Sequence, residues 1–259
     1  MATVQPARTR RMNLWRLEWL RLVRTPRALA LSAVFVILGL IEPVFTKYQS
    51  QILGQVGGGV RISFPPPTPA AALSSYVSQV TGIGLIVVVV IAAGAFTFDS
   101  HQGLATFLRT RVTSLWQLIT PRFTASAAAA GAAYALGTLA AWYATSVLIA
   151  APPVGAMFAG MLCGCGYLVF AVAVTAGAAS VVKGTLGTVG LTLAVLLLLP
   201  IVGTFHVIHD WLPSTLAHAP VDLLSGTPLP HFFPALAVTV LASAALLAAA
   251  VARLGTREL

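Results

Sequence analysis

The chain has 259 residues, of which 58% are hydrophobic and only 8% charged, with a mean hydropathy of +0.92. A soluble domain carries about 25% charged residues, so no soluble fold of this length hides so much apolar surface, and lipid must be the solvent for most of it. Fifteen Lys and Arg stand against six Asp and Glu, and the basic residues cluster at the ends of apolar runs, which points to membrane orientation rather than to nucleic acid.

Residues 1–27 carry seven arginines: Arg8, Arg10, Arg11, Arg16, Arg21, Arg24 and Arg27. A signal peptide has a short basic start, a short apolar core and a small-residue cleavage site. This segment is instead a long basic stretch ending at Thr25-Pro26. Met12, Trp15, Trp19, Leu22 and Val23 fall on one helical face; Glu18, Arg21 and Arg24 fall opposite, with Leu14 and Leu17 in the polar sector. The pattern predicts an interfacial helix, tryptophans at headgroup depth and arginines toward anionic lipid. The competing reading is a disordered basic tail.

Six apolar runs follow, at 28–45, 76–98, 123–150, 155–182, 184–205 and 232–251. A span needs about 20 residues at about 1.5 Å each, so the first run is just adequate. Glu42 and Pro43 lie near its far end, where the charge can reach the interface. Residues 46–73, with Gly57-Gly58-Gly59 and Pro65-Pro66-Pro67, read as an extracytoplasmic loop. The third run is rich in Ala and Gly and closed by Pro152-Pro153; Pro200 bends or ends the fifth. Between the fifth and sixth runs, residues 206–230 hold Asp210 and Asp222 but no Lys or Arg. Their apolar pieces are too short to span and suit shallow or re-entrant helices.

Six spans put both ends of the sequence on one side. The arginines of residues 1–27, then Arg109, Arg111, Arg122, Lys183, Arg253 and Arg257, share that side; Lys47 and Arg61 are on the other. The positive-inside rule makes the first side cytoplasmic. Only two lysines occur, Lys47 and Lys183, and beside abundant Ala and Arg they suggest a GC-rich bacterial genome. The expected location is therefore a bacterial inner membrane.

One polar interval stands out on the cytoplasmic side, from Phe98 to Trp116. Leu104, Phe107, Leu108 and Val112 recur at helical spacing. Arg109 and Arg111 lie at the rim, and Asp99 or Ser100 can cap the first turn. Two readings fit: a helix resting on lipid headgroups, or a knob that docks a soluble partner.

No catalytic set emerges. There is no His-Glu-x-x-His motif and no Gly-x-Ser-x-Gly elbow. Cys163 and Cys165 are too close together for a structural staple. They lie among small residues, where Gly160 and Gly164 form a small-xxx-small pair, so packing is the favoured role over a metal site. His206, His209, His218 and His231 read as solvated loop histidines before a metal site. The middle of every predicted span lacks Asp, Glu, Lys, Arg and His, which disfavours ion-coupled transport and intramembrane catalysis. No Gly-x-x-x-x-Gly-Lys-Ser/Thr loop is present to cradle phosphate. Energy for any uphill movement has to come from a partner, and the chain is not expected to be an enzyme itself.

The elements together resemble the permease subunits of type-2 ABC transporters. The residues that carry the resemblance are Arg24-Thr25-Pro26-Arg27, six runs, and a loop with Asp99, Gly103, Leu104, Phe107, Leu108 and Thr110, continuing through Leu115-Trp116-Gln117-Leu118. The family usually has Gly-Thr where this chain has Gly103-Leu104, with more acidic residues around it. The resemblance implies an all-α membrane protein in one transmembrane domain, 1–259. Its six helices would be preceded by an elbow helix (1–27, with Trp15, Trp19, Arg21 and Arg24). A cytoplasmic coupling helix would carry Asp99, Gly103, Leu104, Phe107, Leu108, Arg109 and Arg111, and a re-entrant segment would lie between spans five and six. It further implies an exporter of hydrophobic or amphipathic substrates, a second permease subunit, and a separate ATPase subunit that holds ATP and Mg, with no cofactor on this chain. The alternative from another class is a non-transporting assembly, immunity or sensor protein.

Overall fold

In a lipid environment a backbone must satisfy its own N–H and C=O groups, which favours helices for apolar runs of this length. A computed structural model describes residues 15, 18–19, 26–56, 66–97, 116–204 and 209–256. Among them every regular element is helical, and six helices are long and apolar enough to cross a membrane.

The helices are α1 (Pro26–Val56), α2 (Pro69–Phe96), α3 (Trp116–Leu148), α4 (Val154–Val181), α5 (Thr185–Val202), the short α6 (Thr215–Leu224) and α7 (Phe233–Thr256). Several exceed their apolar runs. α1 continues past 45 to Val56, because Pro43 interrupts only one turn and the polar residues beyond it are competent helix formers. Thr46 also donates back to the Glu42 carbonyl at 2.9 Å. The loop expected at 46–73 is correspondingly shorter, and its residues 57–65 lie outside the described ones. α2 starts at Pro69, with Thr68 as its N-cap accepting from the Ala71 N–H at 3.2 Å. α3 starts at Trp116, so Pro121 and Arg122 belong to a helix and not to the preceding loop. A proline so near a helix start removes a single backbone bond.

α4 is the centre of the bundle. It packs against α2, α3, α5, α6 and α7, and 61% of its most apolar window is buried, against 17% for α5. Its small residues make this possible. A methyl on Gly160 would stand 2.5 Å from the Pro220 Cα of α6, and one on Gly164 would strike the Tyr134 ring and hydroxyl of α3. The small-xxx-small pair therefore admits two different neighbours. α1 lies along α3 through a second glycine contact: Gly39 rests on the Gly137 carbonyl, and a methyl on Gly137 would come within 2.7 Å of the Phe35 carbonyl. Without a hydrophobic drive between helices in lipid, such close backbone approach supplies much of the association.

α6 is too short to span. It buries Leu216, Ala217, Ala219 and Pro220 against α4 and the first turns of α2. The outward faces of α1, α5 and α7 are apolar, with Leu186, Leu197, Ile201, Val240 and Leu241 all exposed.

Candidate functional site

The elements that leave the bundle for the polar interval 98–115 meet at one end. α2 ends at Phe96, α3 begins at Trp116, and α4 turns into α5 at residues 182–184, where Gly184 takes φ +90°, a conformation glycine adopts without strain. Thr97 and Thr185 join the end of α2 to the start of α5 through a 2.8 Å hydrogen bond between hydroxyls. Thr97 also donates to the Ala93 carbonyl at 2.9 Å.

The N-terminal helical segment is pinned at this same end. Arg122 donates from Nε to Glu18 Oε1 at 3.2 Å, and the two side chains are only 5% and 11% exposed. The sequence reading set Glu18 on the polar face with Arg21 and Arg24. Here the acid turns inward instead, because a buried guanidinium requires a carboxylate partner more than the surface requires an acid. Trp15 and Trp19 remain more than 40% exposed on the outside, where an amphipathic ring meets headgroups. Arg27, Arg122 and Glu18 border a cleft walled by Leu31, Ile91 and Ala95. Arg21 and Arg24 lie outside the described residues, as do Asp99, Gly103, Leu104, Phe107, Leu108, Arg109 and Arg111.

Arg122 is the residue that sequence reasoning missed, having left it just outside the third apolar run, 123–150. The signal was available: it is a lone cation entering a long apolar run, matched to a lone acid, Glu18, in an otherwise basic segment. Glu42 differs as well. Expected near the far end of the first span, it lies within α1, which continues past it, and its side chain is 8% exposed.

At the opposite end, Asp210 accepts from His209 at 3.1 Å and lies 3.5 Å from His231 Nε2. Asp222 of α6 is held above the ordinary carboxylate range by burial, an effect that His218, His209 and His231 partly offset. Among the described residues no group of three His, Cys, Asp or Glu is placed to hold a metal ion; His206 is not described. Cys163 and Cys165 are free thiols in the helix core, and Cys165 donates to the Gly131 carbonyl at 3.6 Å.

No family model matches the chain, and no solved structure matches it. The uncharacterized transmembrane protein YxlG of Bacillus subtilis (strain 168) is 26% identical over 103 residues. That stretch is 39% of this chain and 40% of that protein, so the likeness spans less than half of either. Six apolar helices and a transmembrane relative make this chain an integral, multi-pass membrane protein.

Proposed function

We propose that the chain is the permease subunit of an ATP-binding-cassette exporter of the type-2 class. In this reading it is driven by a separate ATPase and moves a hydrophobic or amphipathic substrate alongside a second permease subunit. The observation that carries the reading is the uneven distribution of charge between the ends of the bundle. Among the described residues Arg27, Arg122, Lys183 and Arg253 belong to one end, and Lys47 is the single Lys or Arg toward the other. By the positive-inside rule the first end faces the cytoplasm. The polar interval 98–115 leaves from that end, and an apolar ridge with flanking charge is what a docking element needs: burial for affinity, charge for register.

The N-terminal helix then acts as the elbow, held by Glu18–Arg122, and α6 as the re-entrant outer segment. Closure of the ATPase dimer would push the 98–116 ridge and, through it, the ends of α2 and α3. The Thr97–Thr185 bond would carry that displacement to α5.

The test is Phe107→Asp in protein co-expressed with a cassette ATPase that co-purifies with the unaltered chain. The variant is expected to keep its thermal unfolding profile and to lose ATPase binding and substrate-stimulated hydrolysis. Normal binding and transport by this variant would refute the docking assignment. Transport by the purified chain without any ATPase would refute the whole reading.

A further inference from the structure

The second helix widens into a five-residue π-turn at Val80–Gly84, inside the length of the span. Such turns are rare and concentrate where a helix does more than pack. Thr81 directs its hydroxyl back to the carbonyls of Val77 (2.9 Å) and Ser78 (3.0 Å), so its proton is spent while its lone pairs stay available. Beside the turn lies a small cavity walled by Val77, Val80 and Thr81 of α2, Tyr134 of α3, and Gly164 and Tyr167 of α4.

Tyr134 is 2% exposed, and its hydroxyl makes no hydrogen bond of good geometry: its polar neighbour is the Thr138 hydroxyl, which is already shared with Tyr76. Gly164 leaves the room that this hydroxyl occupies, since a methyl there would collide with it, and Gly164 is itself part of the cavity wall. The neighbouring Tyr76 stacks on Tyr134 with ring centroids 6.4 Å apart but is supplied differently: its hydroxyl shares a hydrogen bond with Thr138 at 3.4 Å. A buried donor left unmade is expensive, and inside a bundle surrounded by lipid bulk water does not repair it.

The cavity gives a water's centre about 10 Å³ of room, close to the space one water needs. No lining residue is charged, so an ion would have no counter-charge there. The room matches one water. The ligand is therefore a neutral single-atom donor and acceptor.

We propose that one water occupies this cavity, accepting from Tyr134 Oη and donating to the hydroxyl oxygens of Thr81 and Tyr167. It ties the π-turn of α2 to α3 and α4 through exchangeable bonds, so α2 can bend at this point without breaking a packed contact. The proposal stands on the cavity and is independent of what the protein transports.

Two measurements on the purified full chain in nanodiscs test it. In sub-millisecond X-ray radiolytic footprinting, hydroxyl radicals form at bound waters, so Tyr134 is expected to be oxidised severalfold faster than the equally buried Phe35 and Phe232. Tyr134→Phe is expected to lower Tm by about 2–4 °C, because it strands the water; removing a hydroxyl that truly lacked a partner would leave Tm unchanged or raise it. Both results are required. Labelling of Tyr134 no faster than Phe35, as when its hydroxyl instead turns to Thr138, overturns the proposal, and so does a Tm that holds or rises in Tyr134→Phe.

Discussion

Replacing Glu18 by Gln removes the carboxylate from a buried ion pair and leaves Arg122 in place, with the two side chains 11% and 5% exposed. Breaking a buried pair from one side costs about 3–5 kcal/mol. Gln keeps an acceptor oxygen, so the low end of that range applies, and about 3 kcal/mol in a chain of this size lowers Tm by about 6–12 °C. Arg122→Gln should cost a similar amount. The double variant should cost far less than the sum, with a coupling of about 1.5–3 kcal/mol. Thermal unfolding followed by tryptophan fluorescence suits the measurement, since Trp15 and Trp19 flank Glu18 in sequence and are exposed. A buried pair is also weakly screened, so added salt should change the coupling little. Additive single-variant effects, or a coupling abolished by moderate salt, would mean that the N-terminal segment is held by lipid and not by Arg122, and the argument for a pinned elbow would fail.

The glycine contacts separate cleanly into closed and open positions. Gly164→Ala and Gly39→Ala place a methyl into Tyr134 and into the α3 backbone respectively, and each should lower stability by about 1–3 kcal/mol. Gly190→Ala meets nothing within 4 Å and should be neutral or stabilising by up to about 1 kcal/mol; thermal scans of the three variants side by side check the ordering. Asp222 carries a pH signature. Burial holds its carboxyl above the ordinary value, with His218, His209 and His231 pulling partly the other way. The folded protein therefore binds this proton more tightly than the unfolded chain. The resulting stability is complete below the unfolded value and is lost as pH rises through the folded one. Asp222→Asn should raise Tm at neutral pH and make no difference below about pH 4; a variant less stable than the parent at neutral pH would show that attraction to the histidines outweighs burial.

Composition and period alone determined the membrane class, the helical architecture and the number of spans, because in lipid a long apolar run has few other ways to satisfy its backbone. The same pattern located the packing role of Gly160 and Gly164, since small residues four apart share a helix face. Helix ends were not legible. The polar residues after 45 and before 123 mark where lipid stops, and a helix need not stop there, as α1 and α3 demonstrate. Only the tertiary structure decided the partners. Glu18 reads as a surface acid until Arg122, far away in sequence, is folded against it. Tyr134 reads as one more aromatic until Gly164 and the π-turn of α2 are brought to its hydroxyl. Hydropathy is a property of a segment and can be summed along the chain. Which buried polar atom meets which other depends on helix rotation and register, and those are set by contacts between segments.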